Sequence, residues 1–227
     1  MLPGLAPSVV TDRDPYWNSV ELLVNFRGAN GSTSFVDSSK NAAALTPAGN
    51  AQINNQEGLF DGTGDYVYSD GISQLAHTGD FTLEFAMRRN AFVGAEIYGV
   101  VDTRSAGTPS VGICFYLWNT GRMTFFMDNA DRITNVGTIV QGQRHDIAVT
   151  RAGTTCRVFL DGAKVGTYTS SGSVSSPGSL TLGTIITQRN TAGNFHYAGA
   201  LLGLRYTRGV ARYTAAYTPP KVPFPTR

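Results

Sequence analysis

Apolar and polar residues alternate with a period of two along much of this chain, and the 3.6-residue period of a helix is hard to find. In FTLEFAMRR, residues 81–89, Phe81, Leu83, Phe85 and Met87 share one side of an extended strand while Thr82, Glu84 and Arg88 point the other way. That pattern predicts a half-buried strand. Comparable runs occupy 19–26, 96–102, 111–118, 122–128, 145–151, 155–162, 163–169 and 200–207, each rich in β-branched or aromatic residues. Asn119-Thr120-Gly121 and Asp161-Gly162 separate neighbouring runs, and their glycines supply the positive φ that tight hairpins demand. Many short strands, with 26 glycines in the chain, predict an all-β fold, a two-sheet antiparallel β-sandwich. Its body is expected over residues 16–218, with a flexible loop at 170–179. An extended arm is expected at 1–15, and a tail at 219–227 whose four prolines cannot join a ladder. Both are expected to be available to partners.

Composition narrows the function classes. With 227 residues, 41% of them hydrophobic and 15% charged, the chain can bury a large core and is too apolar to be disordered. A net charge of +2, with basic residues scattered rather than clustered, gives no field for nucleic acid. No run approaches 18 apolar residues, so no membrane helix is expected. Fifteen of the 18 basic residues are arginine, whose planar fork suits protein or sugar contacts. Cys114 and Cys156 lie inside strand-like runs and read as buried free thiols. The first residues lack a basic start and an apolar segment, so synthesis in a cytoplasm is expected.

Catalytic patterns are missing. Glycoside hydrolysis needs two carboxylates about 5–9 Å apart, yet Glu21, Glu57, Glu84 and Glu96 are isolated from one another and no Glu-x-Asp-x-Glu run occurs. No nucleophile elbow, phosphate loop or H-E-x-x-H is present. His145 stands beside Asp146, but successive strand residues face opposite ways. Two acidic loops, Asp61/Asp65 in FDGTGDYV and Asp128/Asp131 in DNAD, could contribute oxygens to calcium or serve as turn residues that bond their own backbone. The run GICFYLWNTGRM sets Tyr116 and Trp118 on one face with Cys114, and Ile113, Phe115 and Leu117 on the other. If the aliphatic face is the core, Tyr116 and Trp118 lie outward beside Asn119 and Arg122, as a platform for a sugar or a protein.

As a set, ELLVNFRGANGSTSFVDSS, FDGTGDYV, DFTLEFAMR, HDIAVTRAGTTCRVFLDGAKVGT and LLGLRYTRGVARYTAAYTPPKVPFP resemble the concanavalin A-like (laminin G-like) jelly-roll domain. The resemblance extends over roughly residues 15–225 and is closest to the version found in tailed-bacteriophage virion proteins, mainly through RGVARYTAAYTPP. The tryptophan such domains carry shortly before the HxxAVTR strand is absent here, where the chain reads Gly142-Gln143-Arg144. The resemblance implies a non-enzymatic virion component (capsid decoration, fibre or tail), oligomeric, with other virion proteins as partners. Its alternative is a module that binds host cell-surface glycans through Tyr116, Trp118, Asn119 and Arg122.

Overall fold

The structure is a computed structural model that describes residues 13–92, 94–169, 178–191 and 195–227. Among these, the first strands are β1 (Val20–Val24), β2 (Thr46–Ala48), β3 (Gln52–Asn54), β4 (Glu57–Asp61) and β5 (Tyr66–Ser69). The middle of the chain forms β6 (Phe81–Arg89), β7 (Ile97–Asp102), β8 (Cys114–Trp118), β9 (Met123–Met127), β10 (Ala130–Val136) and β11 (Arg144–Ala152). The last are β12 (Thr155–Leu160), β13 (Ala163–Thr169), β14 (Leu180–Leu182), β15 (Phe195–His196) and β16 (Ala198–Arg208). They form two eight-stranded sheets. The first runs β13-β12-β11-β6-β16-β4-β3 with β1 on β16, the second β10-β9-β8-β7-β14-β5-β2 with β15 on β7. Pairing is antiparallel except for the short β15–β7 contact. The expected all-β sandwich is therefore the observed fold.

The core lies between the sheets. Phe81, Leu83, Phe85 and Met87 of β6 face Phe115, Leu117, Met123 and Phe125 of the second sheet, and Phe85 meets Phe115 edge-on at 5.1 Å. Each such buried side chain contributes about 1.5–3 kcal/mol. Tight turns set the register: Asn55-Gln56, Asp128-Asn129 and Asp161-Gly162 all have positive φ at both central positions, as two-residue hairpins require. Cys114 and Cys156 are free and buried, Cys156 in the core and Cys114 on the outer side of the second sheet.

Strand β6 is buried on both faces, where alternation predicts one. Its outer residues Thr82 and Glu84 are covered by the chain after β16, which crosses the first sheet strand by strand. Thr82 Oγ1 donates to Val210 O (2.9 Å), Thr150 Oγ1 to Tyr213 O (2.8 Å), and Tyr217 N to Gly162 O (3.0 Å). The proline-rich tail then packs on β1. Phe224 is buried with Val20 and Leu23, and its backbone exchanges two hydrogen bonds with the Asn25 amide. Asp14 N donates to Arg227 O at 2.8 Å. Residues 13–15 and 219–227, expected to be available to partners, thus engage the sandwich itself; residues 1–12 and 170–177 lie outside the described residues.

One buried titratable group makes stability pH-dependent. His77 Nε2 lies 2.6 Å from the Tyr206 hydroxyl, and the ring packs edge-on to Phe81. Burial, reinforced by the charges of Arg208 and Arg151, holds its pKa below the ordinary value of 6.5. The unfolded chain then binds a proton that the folded chain refuses, so this contribution to stability is lost as pH falls below about 6.5. Urea midpoints should stay level above about pH 7 and drop by about pH 5.5, and His77→Gln should flatten that drop. An unchanged drop in the variant would assign it elsewhere.

Candidate functional site

Strand β8 resolves the facing of the aromatic run. Ile113, Phe115 and Leu117 enter the core, and Cys114, Tyr116 and Trp118 point to the outer face of the second sheet. That face is closed at the far end of β7, where Arg104 pairs with Asp102 through Nε (2.9 Å) and Nη2 (2.7 Å) and Ile186 N donates to the same carboxylate. It is open at the near end, beside Trp118. There an open groove of about 460 Å³ is lined by Trp118, Asn119, Thr120, Thr134 and Asn135.

The groove's orientation is fixed by bonds beneath it. Trp118 Nε1 donates to Thr124 Oγ1 at 2.9 Å, which pins the indole while leaving the ring half-exposed. Tyr116 packs edge-on against it, centroids 6.0 Å apart, and donates its hydroxyl to Asp131 Oδ2 at 2.8 Å. Burial, with the Asp131 carboxylate, pushes the Tyr116 phenol well above its usual pKa. Tyr116 therefore supports the platform from below. Arg122 Nε donates to Asn135 O (2.8 Å) and Oδ1 (3.1 Å), so its guanidinium holds Asn135 at the rim. The turn closes with Gly121 N on Trp118 O at 2.8 Å, and Gly121 adopts φ +80° with Ile139 O only 2.8 Å from where a Cβ would sit. Of the four residues predicted here, Trp118 and Asn119 line the groove while Tyr116 and Arg122 position it. Thr134 and Asn135 were not anticipated, because β10 reads ADRITNV, too polar to show as a strand.

The acidic pairs are engaged by their own chain. Asp65 is buried and accepts Asn50 N at Oδ1 (2.7 Å) and Asp61 N at Oδ2 (2.9 Å); Asp61 accepts the Thr63 N–H and hydroxyl. Burial works to raise the Asp61 carboxyl, but the Thr63 bonds outweigh it and hold the group below the usual range. Burial, with Asp61 close by, raises Asp65. Asp128 sits in the β9–β10 turn and Asp131 receives Tyr116. Among the described residues no group of three or more His, Cys, Asp or Glu is arranged for a metal. With N–H donors aimed at both oxygens of Asp65, the pair does not fit a calcium ion.

Among the described residues, two other ionisable groups singled out in the sequence, His145 and Glu84, are engaged within the chain. His145 finds its carboxylate in Asp161, at 2.8 Å from Nδ1, and its Nε2 accepts Val140 N–H at 3.0 Å, which leaves no nitrogen to take a substrate proton. Glu84 is buried between Arg205 and the Tyr213 hydroxyl. Arginine is used mainly within the chain: Arg89, Arg104, Arg132, Arg189, Arg205 and Arg212 each stack on an aromatic ring.

A family model described as the concanavalin A-like lectin/glucanases superfamily matches residues 61–206. The chain belongs to that superfamily. This concanavalin A-like sandwich also superposes on solved toxin domains. The botulinum neurotoxin serotype D/C VPI 5993 binding domain gives a TM-score of 0.63 at 15% identity, covering 85% of this chain and 49% of that one. A botulinum neurotoxin type C structure, described for its dependence on interaction with two ganglioside molecules, gives 0.63 at 12%, covering 85% and 48%. The neurotoxin DC binding domain in complex with SialylT gives 0.59 at 12%, covering 85% and 48%. The chain spans about half the length of these proteins, and at such identities the likeness is one of fold. No curated protein matches its sequence.

Proposed function

We propose that this chain is a non-catalytic glycan-binding module whose contact surface is the groove at Trp118. The observation that carries the reading is an indole held by its N–H from below and open at a groove otherwise lined by two amides and two hydroxyls. An aromatic face takes the apolar side of a sugar ring, and side-chain amides and hydroxyls exchange hydrogen bonds with its hydroxyls. The ganglioside and sialylated ligands named for the toxin domains support a sugar as the ligand class for this fold. The carboxylates of Glu84 and Asp14 are neutralised by arginine, which supports a role without hydrolysis.

Glycan-array screening should yield saturable binders, and Trp118→Ala should weaken them roughly ten-fold or more, equivalent to about 1.4 kcal/mol, with unfolding unchanged. Only Trp17 and Trp118 occur in the chain, so a Trp17→Phe protein reports ligand at Trp118 by its own fluorescence. Binding that survives Trp118→Ala would move the site elsewhere, and hydrolysis products would overturn the non-catalytic role.

The setting we infer is a bacteriophage particle, supported by the resemblance of RGVARYTAAYTPP to virion proteins. Because residues 210–217 pack on their own sheet, that stretch is a closing segment of this sandwich and contacts with other virion proteins would use different surfaces. Antibody labelling of intact particles tests the setting; absence of the protein from purified particles would remove it.

A further inference from the structure

We infer that the groove at Trp118 is one half of a two-part site for an uncharged oligosaccharide, and that its other half lies across Asn119 on the side of β7. This rests on the glycan-binding reading above. Asn119 lines both the groove and an adjoining hollow of about 620 Å³, whose other walls are Phe92, Gly94, Ala95, Glu96 and Tyr98. The ridge between the two is rigid, since Asn119 N donates to Glu96 O at 2.8 Å and the Tyr98 hydroxyl bonds both Ala95 N and Ala95 O at 3.1 Å. Phe92 is fixed as a wall by stacking on Tyr98 (4.1 Å, 12°) with the Arg89 guanidinium 4.6 Å from its centroid. Each hollow is within the size of a small-ligand pocket, and two meeting at one exposed amide suit a chain of rings rather than a single ring.

Charge decides which chain. Among the described residues no basic side chain lines either hollow, and the guanidiniums behind the lining are held by neutral oxygens, Arg122 by Asn135 and Arg89 by Ile139 O. Glu96 is exposed and its carboxylate has no hydrogen-bond partner among the described residues. It accepts from sugar hydroxyls with the strength of a charge-assisted bond, and it repels a ligand carboxylate or sulfate. The ligand class is therefore neutral, in contrast to the sialylated ligand named for the similar toxin domain.

Calorimetric titration of the intact protein with malto-, cello- and chito-oligosaccharides of one to six units, and with lactose against 3′-sialyllactose, tests this. The expected result is a series whose affinity rises at least ten-fold from the monosaccharide to the tetrasaccharide and then levels. Glu96→Ala should flatten that rise, Trp118→Ala should remove binding along the whole series, and lactose should bind more tightly than sialyllactose. A monosaccharide bound as tightly as the hexasaccharide, or an unaltered rise in Glu96→Ala, would overturn the second half while leaving the groove at Trp118 standing. Preference for sialyllactose would overturn the uncharged ligand. Failure of every sugar to bind would overturn both readings together.

Discussion

Arg205→Ala should destabilise the protein by about 3–5 kcal/mol, the cost of removing one of the two cations that a pair of buried carboxylates shares. Arg205 is 3% exposed and holds Glu84 Oε1 at 2.9 Å through Nε and Asp14 Oδ2 at 2.7 Å through Nη1. Arg212 grips Asp14 from the other side with two parallel bonds of 2.9 and 2.8 Å, and Tyr213 closes the fourth corner on Glu84 Oε2 at 2.8 Å. Removing Arg205 therefore leaves two buried acids to one cation, Arg212, which keeps its bonds to Asp14 and lies 3.4 Å from Glu84 Oε1, and it also strips a guanidinium from the Phe224 ring. At about 2–4 °C per kcal/mol for a chain of this size, the melting temperature should fall by on the order of 10 °C. The same network makes an acid limb. Burial works to raise the Asp14 carboxyl, but the Arg212 bonds and Arg205 charge outweigh it and hold the group below its usual range. A depressed acid contributes in full above its unfolded pKa of about 3.9 and loses that contribution as pH falls below it, through the lower folded value. Arg205→Ala should accordingly shrink the loss of stability that sets in below about pH 4. Denaturant titrations across that range measure both effects, and a change under about 1 kcal/mol at neutral pH would mean that the network contributes little.

Gly162→Ala should cost about 3 kcal/mol, combining left-handed strain of roughly 1–2 with the displacement of a packed neighbour. Gly162 has φ +82°, and a Cβ there would overlap the Tyr217 carbonyl, on the segment that crosses the first sheet. Gly153 is the control, with φ +58° and nothing within 4 Å of where an alanine methyl would sit. Its alanine variant should lose only the strain. Equal losses in the two variants would show that Tyr217 yields without resistance.

What was legible in the sequence was what a strand states locally. Residues 81–89 alternate over seven positions and match β6 to the residue, and the β-rich run 163–169, set off by the Asp161-Gly162 turn, matches β13. Strands of two to four residues, such as β2, β5 and β14, are too short to display a period, and their pairing is decided by partners far along the chain. The two faces of β8 could be separated from spacing, though not which of them was core, and Asn119-Thr120-Gly121 marked the turn beside Trp118. Burial of Tyr116 could not be read, because Asp131 reaches it only through the β8–β9–β10 register. Thr134, Asn135 and Glu96 join the site by that same lateral pairing. Similarly, Glu84 reads as one charge on a polar face until residues 205–213 are folded over it.

The bond from Asp14 N to Arg227 O brings the two ends of the described chain together on the outer side of the first sheet, whereas Trp118 faces outward from the second. A short linker between residues 13 and 227 would close the backbone into a ring, so a circular permutant opened at the Gly153 turn should be well tolerated. Residues 14 and 227 thus meet at a single spot on the side of the molecule opposite Trp118. The groove at Trp118 would then open on the sheet opposite the closure.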